Sequence, residues 1–165
     1  MPRIFAGLAV GQTIVLIAAG VAGFLNTGDP DTPHHVILGL FAVLLGCFVQ
    51  AVVFTYFTIT GKLAAQAVHL AHGDVTLLYG IKNLKRSATF LLAAVFVTLL
   101  AATITGAIQW RGDGRPGVHF LTAALAVVVH FYASLRQFRL IVQNGRALDA
   151  SLRRYREATS QSQRR

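Results

Sequence analysis

The chain has 165 residues, of which 55% are hydrophobic and 13% charged, and its 15 Lys and Arg against six Asp and Glu give a net charge of +9. Its single cysteine, Cys47, excludes an intrachain disulfide. Most of the length lies in long apolar segments, which leaves no room for a separate soluble domain. We therefore expect one membrane domain over residues 1–158 and a flexible tail at 159–165.

Four apolar segments follow one another along the chain, at residues 4–25, 36–60, 88–110 and 118–135. None of them contains Asp, Glu, Lys or Arg. A helix needs about 20 apolar residues to cross the hydrocarbon core of a bilayer, so each segment is long enough, or nearly so, to span it. The first segment is longer than the apolar part of a usual signal peptide, and we expect it to stay as an uncleaved anchor.

The connections between these segments are of two kinds, short loops and longer helical segments. Residues 26–35 and 111–117 are short and rich in Gly and Pro, so they force neighbouring spans to run antiparallel. Residues 62–86 are predicted to form a helical hairpin, and residues 136–157 a basic amphipathic helix that continues the fourth span. The expected fold is an all-α antiparallel up-down four-helix transmembrane bundle with cytoplasmic helical extensions. The two pairs of spans share no recognisable motif, so no internal repeat is predicted.

The basic residues sort to one side of the predicted membrane. Thirteen Lys and Arg lie at the chain ends or in the 62–86 segment, and only Arg111 and Arg115 lie on the other side. Because Lys and Arg are retained on the cytoplasmic side, both termini are predicted to be cytoplasmic, in a bacterial inner membrane. The basic helices are expected to meet anionic inner-leaflet lipid, and nucleic acid is not an expected partner.

Each span carries one stripe of small and polar residues when it is placed on a helical wheel. We expect these stripes to face one another, with Gly7-x-x-x-Gly11 as a point of close helix approach. The stripes comprise Gly7, Gly11, Ala18 and Ala22, with Gln12 to one side, in the first span; His35, Gly39, Gly46 and Gln50 in the second; Ser87, Ala94, Thr98, Ala102, Thr105 and Gln109 in the third; and His119, Thr122, Ala126, His130, Ser134 and Gln137 in the fourth.

The depth of these residues along each span predicts two polar layers. At 1.5 Å of rise per residue, one side chain from each span falls at a similar inner-to-middle depth. This predicted layer comprises Gln12, Gln50, Thr98 and His130. His35 and His119 lie at the outer ends of the second and fourth spans and form a second predicted layer.

Two interpretations of these polar residues are open. They can be hydrogen-bonded packing contacts, each worth about 0.6–2 kcal/mol in a membrane bundle. Alternatively, His35, His119 and His130 with Gln50 can hold haem b or a quinone, because haem iron takes imidazole ligands from facing helices. Histidines on two spans, with Gly39 and Gly46 beside His35 to make room for a macrocycle, resemble the haem-bearing bundle of b-type membrane cytochromes. The chain departs from that arrangement at Gln50, where those cytochromes have a second histidine.

The leading functional prediction is a small membrane subunit or anchor, non-catalytic by itself, of a larger membrane complex that includes respiratory or redox complexes. It would dock a protein partner, or a second copy of the chain, through its basic cytoplasmic helices. No catalytic residue and no metal site is predicted, and no cofactor is firmly implied. A haem- or quinone-binding electron-transfer protein is the alternative. A small transporter or channel comes third, because no charged residue lies within a span.

Overall fold

The computed structural model describes residues 1–25, 34–70 and 75–163, which are helical apart from short turns. The four helices of these ranges are α1 (Pro2–Leu25), α2 (His34–Leu70), α3 (Val75–Trp110) and α4 (Pro116–Gln163). The predicted all-α fold is confirmed, and all four helices are long and apolar enough to cross a membrane. Most of the predicted loop before α2, residues 71–74 of the predicted hairpin and residues 164–165 lie outside the described residues.

The helices run well past the predicted spans. Residues 62–70 and 75–86 of the predicted hairpin are continuous extensions of α2 and α3. α4 has 48 residues, a length of about 72 Å at 1.5 Å per residue. It passes through Gly145 without interruption and includes residues 159–163 of the predicted tail.

The turn between α3 and α4 follows from its glycine and proline. Gly112 has a φ of 85°, in the left-handed region that favours glycine, and its N–H donates to the carbonyl of Gln109 at 2.9 Å. This bond satisfies a carbonyl at the end of α3, as left-handed C-caps do. Pro116 then opens α4 at a position where a missing N–H costs nothing.

A central pair of helices organises the packing. α2 and α4 contact each other directly, and α1 and α3 each contact both of them, while no close backbone contact joins α1 to α3 among the described residues. The buried apolar residues form two groups. The alanine-rich cluster comprises Leu16, Ala19, Ala42, Val95, Leu99, Ala126 and Ala133. The phenylalanine cluster comprises Phe5, Ala9, Val49, Val53, Phe57, Ala88, Leu140 and Ile141.

Within the apolar segments, the outward surface of the helices is largely apolar. Large apolar side chains point outward from all four helices, whereas most of the polar side chains within the apolar segments point inward. The most exposed are Phe24, Leu25, Val97, Phe90, Phe120 and Leu121. Monomeric soluble proteins rarely expose contiguous apolar surface of this extent.

The α1–α2 and α3–α4 hairpins use the same contacts, although the sequence suggested no repeat. His35 of α2 approaches the Ala19 carbonyl of α1, and His119 of α4 approaches the Ala102 carbonyl of α3. Further equivalent positions are buried in both hairpins: Phe5 and Ala88, Leu16 and Leu99, Ala42 and Ala126, and Phe57 and Ile141. Leu16 and Leu99, like Ala42 and Ala126, are identical residues, whereas Phe5 and Ala88 differ in size.

Candidate functional site

Polar side chains meet between the helices at three levels, and we name each level by its residues. The histidine layer contains His35 and His119, the glutamine layer contains Gln12, Gln50, His130 and Gln137, and the asparagine layer contains Thr60 and Asn144. The alanine-rich cluster lies between the first two layers, and the phenylalanine cluster lies between the last two. Polar and apolar levels therefore alternate along the helices.

In the histidine layer, both rings bond to the backbone of a neighbouring helix. His35 Nδ1 lies 2.9 Å from the Ala19 carbonyl oxygen, and His119 Nδ1 lies 3.1 Å from that of Ala102. A carbonyl only accepts, so these contacts favour the tautomer with the proton on Nδ1 and leave Nε2 as the other available nitrogen. The ring centroids are 5.9 Å apart in an edge-to-face arrangement. The predicted outer pair is thus brought into contact.

Two glycines make room for these rings. A Cβ on Gly23 would lie 2.5 Å from Cε1 of His35, and one on Gly106 would lie 2.9 Å from Cε1 of His119. Each glycine lies one helical turn after the alanine whose carbonyl the same histidine approaches. Because real Cβ atoms do not approach other atoms so closely, a side chain at either position would displace the imidazole ring.

Gly39 and Gly46, the glycines predicted to make room for a haem macrocycle, differ from Gly23 and Gly106 in what surrounds them. Gly46 is buried, and a Cβ there would overlap the amide of Gln12 and lie 2.7 Å from Cδ1 of Leu99. Gly39 would place a Cβ with nothing within 4 Å. The space at Gly46 is therefore taken by side chains of α1 and α3, so this glycine leaves no room for a haem.

The asparagine layer is a direct bond between the two central helices. Asn144 Nδ2 donates to Thr60 Oγ1 at 2.8 Å, and Thr60 Oγ1 donates in turn to the Tyr56 carbonyl. Close by, the Tyr56 hydroxyl donates to the Ile141 carbonyl at 3.2 Å. The sequence predicted no layer at this level, because the wheel for α4 stopped at Gln137. A signal was present, since Gln137, Asn144 and Ser151 recur every seven residues, and all three are buried.

The glutamine layer joins three helices. Gln137 Nε2 of α4 donates to Gln50 Oε1 of α2 at 2.8 Å, and both side chains are at most 2% exposed. His130, which is 0% exposed, lies 3.3 Å from Ser134 Oγ through Nε2, and its ring lies near the Ala9 carbonyl of α1. Gln12, also 0% exposed, packs against Gly46, one turn before Gln50. The structure thus brings Gln12 beside Gly46 and Gln50 beside Gln137, and no described hydrogen bond joins Gln12, Gln50 and His130 to one another. Their common level stays a prediction.

Several polar atoms of this layer have no hydrogen-bond partner among the described residues. They are Nε2 and Oε1 of Gln12, Nε2 of Gln50, Oε1 of Gln137 and Nδ1 of His130. More than nine in ten buried polar groups in folded proteins are paired. This concentration in adjacent side chains makes the glutamine layer the most unusual site of the described bundle.

Some predicted positions lie elsewhere. Thr98 donates its hydroxyl to the Ala94 and Val95 carbonyls of its own helix, and no bond joins it to the other three predicted residues within the described ranges. Gly7 and Gly11 would each place a Cβ with nothing within 4 Å, so the predicted close approach at this pair is wrong for the described contacts. The buried face of α1 carries Phe5, Ala9, Gln12, Leu16 and Ala19 instead.

Comparison with known proteins found no matching family model, no matching curated protein and no matching solved structure.

Proposed function

We propose that the chain is an integral membrane protein with an up-down-up-down topology and both termini on the cytoplasmic side. Four apolar helices and an outward apolar surface support insertion. The order of contacts supports the topology. Along α2, Gln50 and Thr60 pair with Gln137 and Asn144 of α4 in rising order, whereas His35 and Gly46 contact α1 at Ala19 and Gln12 in falling order. The excess of Lys and Arg at one end supports the orientation.

Within this topology, the chain acts as a non-catalytic subunit or anchor that docks a partner through its basic cytoplasmic helices. The observation that carries this proposal is the exposed arginine surface of the α4 extension. Arg146, Arg153, Arg154 and Arg156 are exposed, while Asn144 and Ser151 on the opposite side of the same helix are buried. One face of the extension packs on the bundle, and the other presents these four arginines with Asp149 and Glu157 among them. The net positive charge of this face suits an acidic protein surface or anionic lipid headgroups.

A charge-removal variant tests this role better than a truncation alone. We expect replacement of Arg146, Arg153, Arg154 and Arg156 by Gln to abolish co-purification of a native partner from membranes solubilised in mild detergent. Replacement of the exposed Gln143 by Ala is the matched control on the same helix and should leave co-purification unchanged. A partner that remains bound to the four-Gln variant, and to a chain lacking residues 146–165, contradicts docking through this surface.

A role in electron transfer, through haem b or a quinone, is the second candidate. The histidine layer favours it, because two histidines on facing helices lie with ring centroids 5.9 Å apart and each has Nδ1 on a backbone carbonyl. Imidazoles that ligate metals are commonly oriented in this way, with the second nitrogen free to coordinate. Gln50 and His130 are the residues that would hydrogen-bond a quinone.

An absorption spectrum separates the two roles. If haem binds at the histidine layer, the purified protein has a Soret band and a reduced-minus-oxidised α band. His35→Ala and His119→Ala each remove these bands, while His130→Ala retains them. A protein expressed with ample haem that has no such band, in detergent or in native membranes, excludes the haem role.

A further inference from the structure

The glutamine layer contrasts with the rest of the buried polar network. The histidine and asparagine layers bond directly from helix to helix, so their side chains are explained as packing contacts. In the glutamine layer only the bond between Gln137 and Gln50 joins two helices through side chains, and five polar atoms of four buried residues remain without a described partner. Holding helices together does not explain these atoms.

The unpartnered atoms restrict the kind of ligand that would satisfy them. Nε2 of Gln12 and Nε2 of Gln50 can only donate, while Oε1 of Gln12 and Oε1 of Gln137 can only accept. A cation would leave the two donors unsatisfied, and an anion would leave the two acceptors unsatisfied. A quinone carbonyl accepts but does not donate. The set therefore fits a neutral molecule that both donates and accepts.

The burial of these side chains narrows the class of ligand further. Gln12, Gln50, His130 and Gln137 are each at most 2% exposed, and the Gln12 amide is in tight contact with Gly46. Apolar residues of both clusters neighbour these side chains along the helices, with Val49 next to Gln50 and Ala133 between His130 and Gln137. Buried water commonly makes about three hydrogen bonds to otherwise unpaired groups and fits such closed polar sites.

We propose that the glutamine layer is a binding site for ordered water, held by the side chains of Gln12, Gln50 and Gln137 and by Nδ1 of His130. The water links the Gln12 side chain of α1 to the side chains of α2 and α4, beside the contact of the His130 ring with the Ala9 carbonyl. This inference is independent of the docking role and of haem at the histidine layer, but water at this site would take the place of a quinone on Gln50 and His130.

Water-edited solid-state NMR of the full chain in lipid bilayers tests the site directly. With 15N-labelled Gln and Asn side chains, we expect magnetisation from water to reach Nε2 of Gln12 and Gln50 several-fold more strongly than Nδ2 of Asn144. Asn144 is equally buried but bonds directly to Thr60, and the exposed Gln66 and Gln143 show the full water signal. Signals at Gln12 and Gln50 no stronger than that at Asn144 overturn the proposal.

A substitution gives a second, independent measurement. Gln12→Met keeps the length of the side chain and removes both of its unpartnered atoms. If these atoms bind water, the variant loses the water signal at Gln50 and its folding equilibrium constant falls about fivefold. Ile14→Met, on the exposed face of α1, is the control and changes neither. A Gln12→Met protein that folds more favourably than the wild type overturns the proposal, because it indicates that the amide had no ligand to lose.

Discussion

The histidine layer and the glutamine layer solve the same problem, a polar side chain inside an apolar bundle, in different ways. In the histidine layer, equivalent residues of the two hairpins make equivalent bonds to backbone carbonyls, and equivalent glycines receive the rings. In the glutamine layer, the equivalent positions differ: Gln12 is matched by Val95, and Gly46 by His130. A backbone carbonyl is present whatever the sequence, so the first arrangement needs only a histidine and a glycine. The second depends on side chains that complement one another.

This difference predicts that the glutamine layer is the more sensitive to crowding. We expect Gly46→Val to lower the free energy of unfolding by about 3 kcal/mol, because the new side chain overlaps the Gln12 amide and Leu99 in a buried site. Gly7→Val, with open space at its Cβ, is the matched control and should cost less than 1 kcal/mol. The measurement is unfolding by SDS in mixed micelles. Equal losses in the two variants contradict the assigned contact.

A smaller substitution, alanine for glycine, in the histidine layer should lower the free energy of unfolding by less. We expect Gly23→Ala to cost about 1–2 kcal/mol and Gly106→Ala somewhat less, since the added Cβ lies 2.5 Å from His35 in the first case and 2.9 Å from His119 in the second. Gly20→Ala has nothing within 4 Å and serves as the control. A cost for Gly20→Ala as large as that for Gly23→Ala shows that the imidazole is not the obstacle.

The hydrogen bond between Gln137 and Gln50 should contribute less to the free energy of unfolding than the glycine substitutions cost. A double-mutant cycle of Gln50→Met and Gln137→Met is expected to give a coupling energy of about 0.6 kcal/mol, and no more than about 1.7 kcal/mol, as for other hydrogen bonds between membrane helices. The control is a cycle of Gln50→Met and Gln143→Met, two residues that share no hydrogen bond among the described residues. Its coupling energy should be zero within error. Zero coupling between Gln50 and Gln137 refutes their hydrogen bond.

Thr98 provides the smallest effect. Its hydroxyl bonds only to its own helix among the described residues, so we expect Thr98→Val to change the free energy of unfolding by less than about 0.5 kcal/mol. Thr60→Val removes the acceptor of buried Asn144 and should cost about 1–3 kcal/mol. If Thr98→Val costs as much as Thr60→Val, Thr98 belongs to the polar layer that the sequence predicted.

Fold and site differ in how far the sequence predicts them. The four helices are predicted by apolar segments that contain no charged residue. This prediction holds even when a helix end is misplaced by several residues. The facing surfaces do not follow so simply. α1 is apolar on all faces, so the helical wheel favours Gly7 and Gly11 as its packing face and places Gln12 to one side. In the structure, Gln12 is the residue that points inward. Helical rise is a fixed quantity, so depth predicts Gln50 and His130 at a similar level, and that common level stays a prediction.

The contacts of the glycines could not be predicted from the sequence. Whether Gly46 admits a macrocycle, an imidazole or an amide depends on the register between helices, and that register is set by many small contacts across the bundle. The sequence does not predict the asparagine layer, because the predicted fourth span ends where the apolar residues end, whereas the same buried stripe continues along α4.

The repeated contacts of the two hairpins also explain why the glutamine layer can exist. A two-helix chain that paired with an identical copy would carry every residue twice, so a histidine at the position of His130 would meet a second histidine in place of Gly46. With both hairpins in one chain, a large side chain on one copy can be matched by a small one on the other. The covalent link between the hairpins thereby allows the glutamine layer, between the two apolar clusters, to carry different residues on its two sides. The paired histidines, in contrast, keep the arrangement of a symmetric dimer.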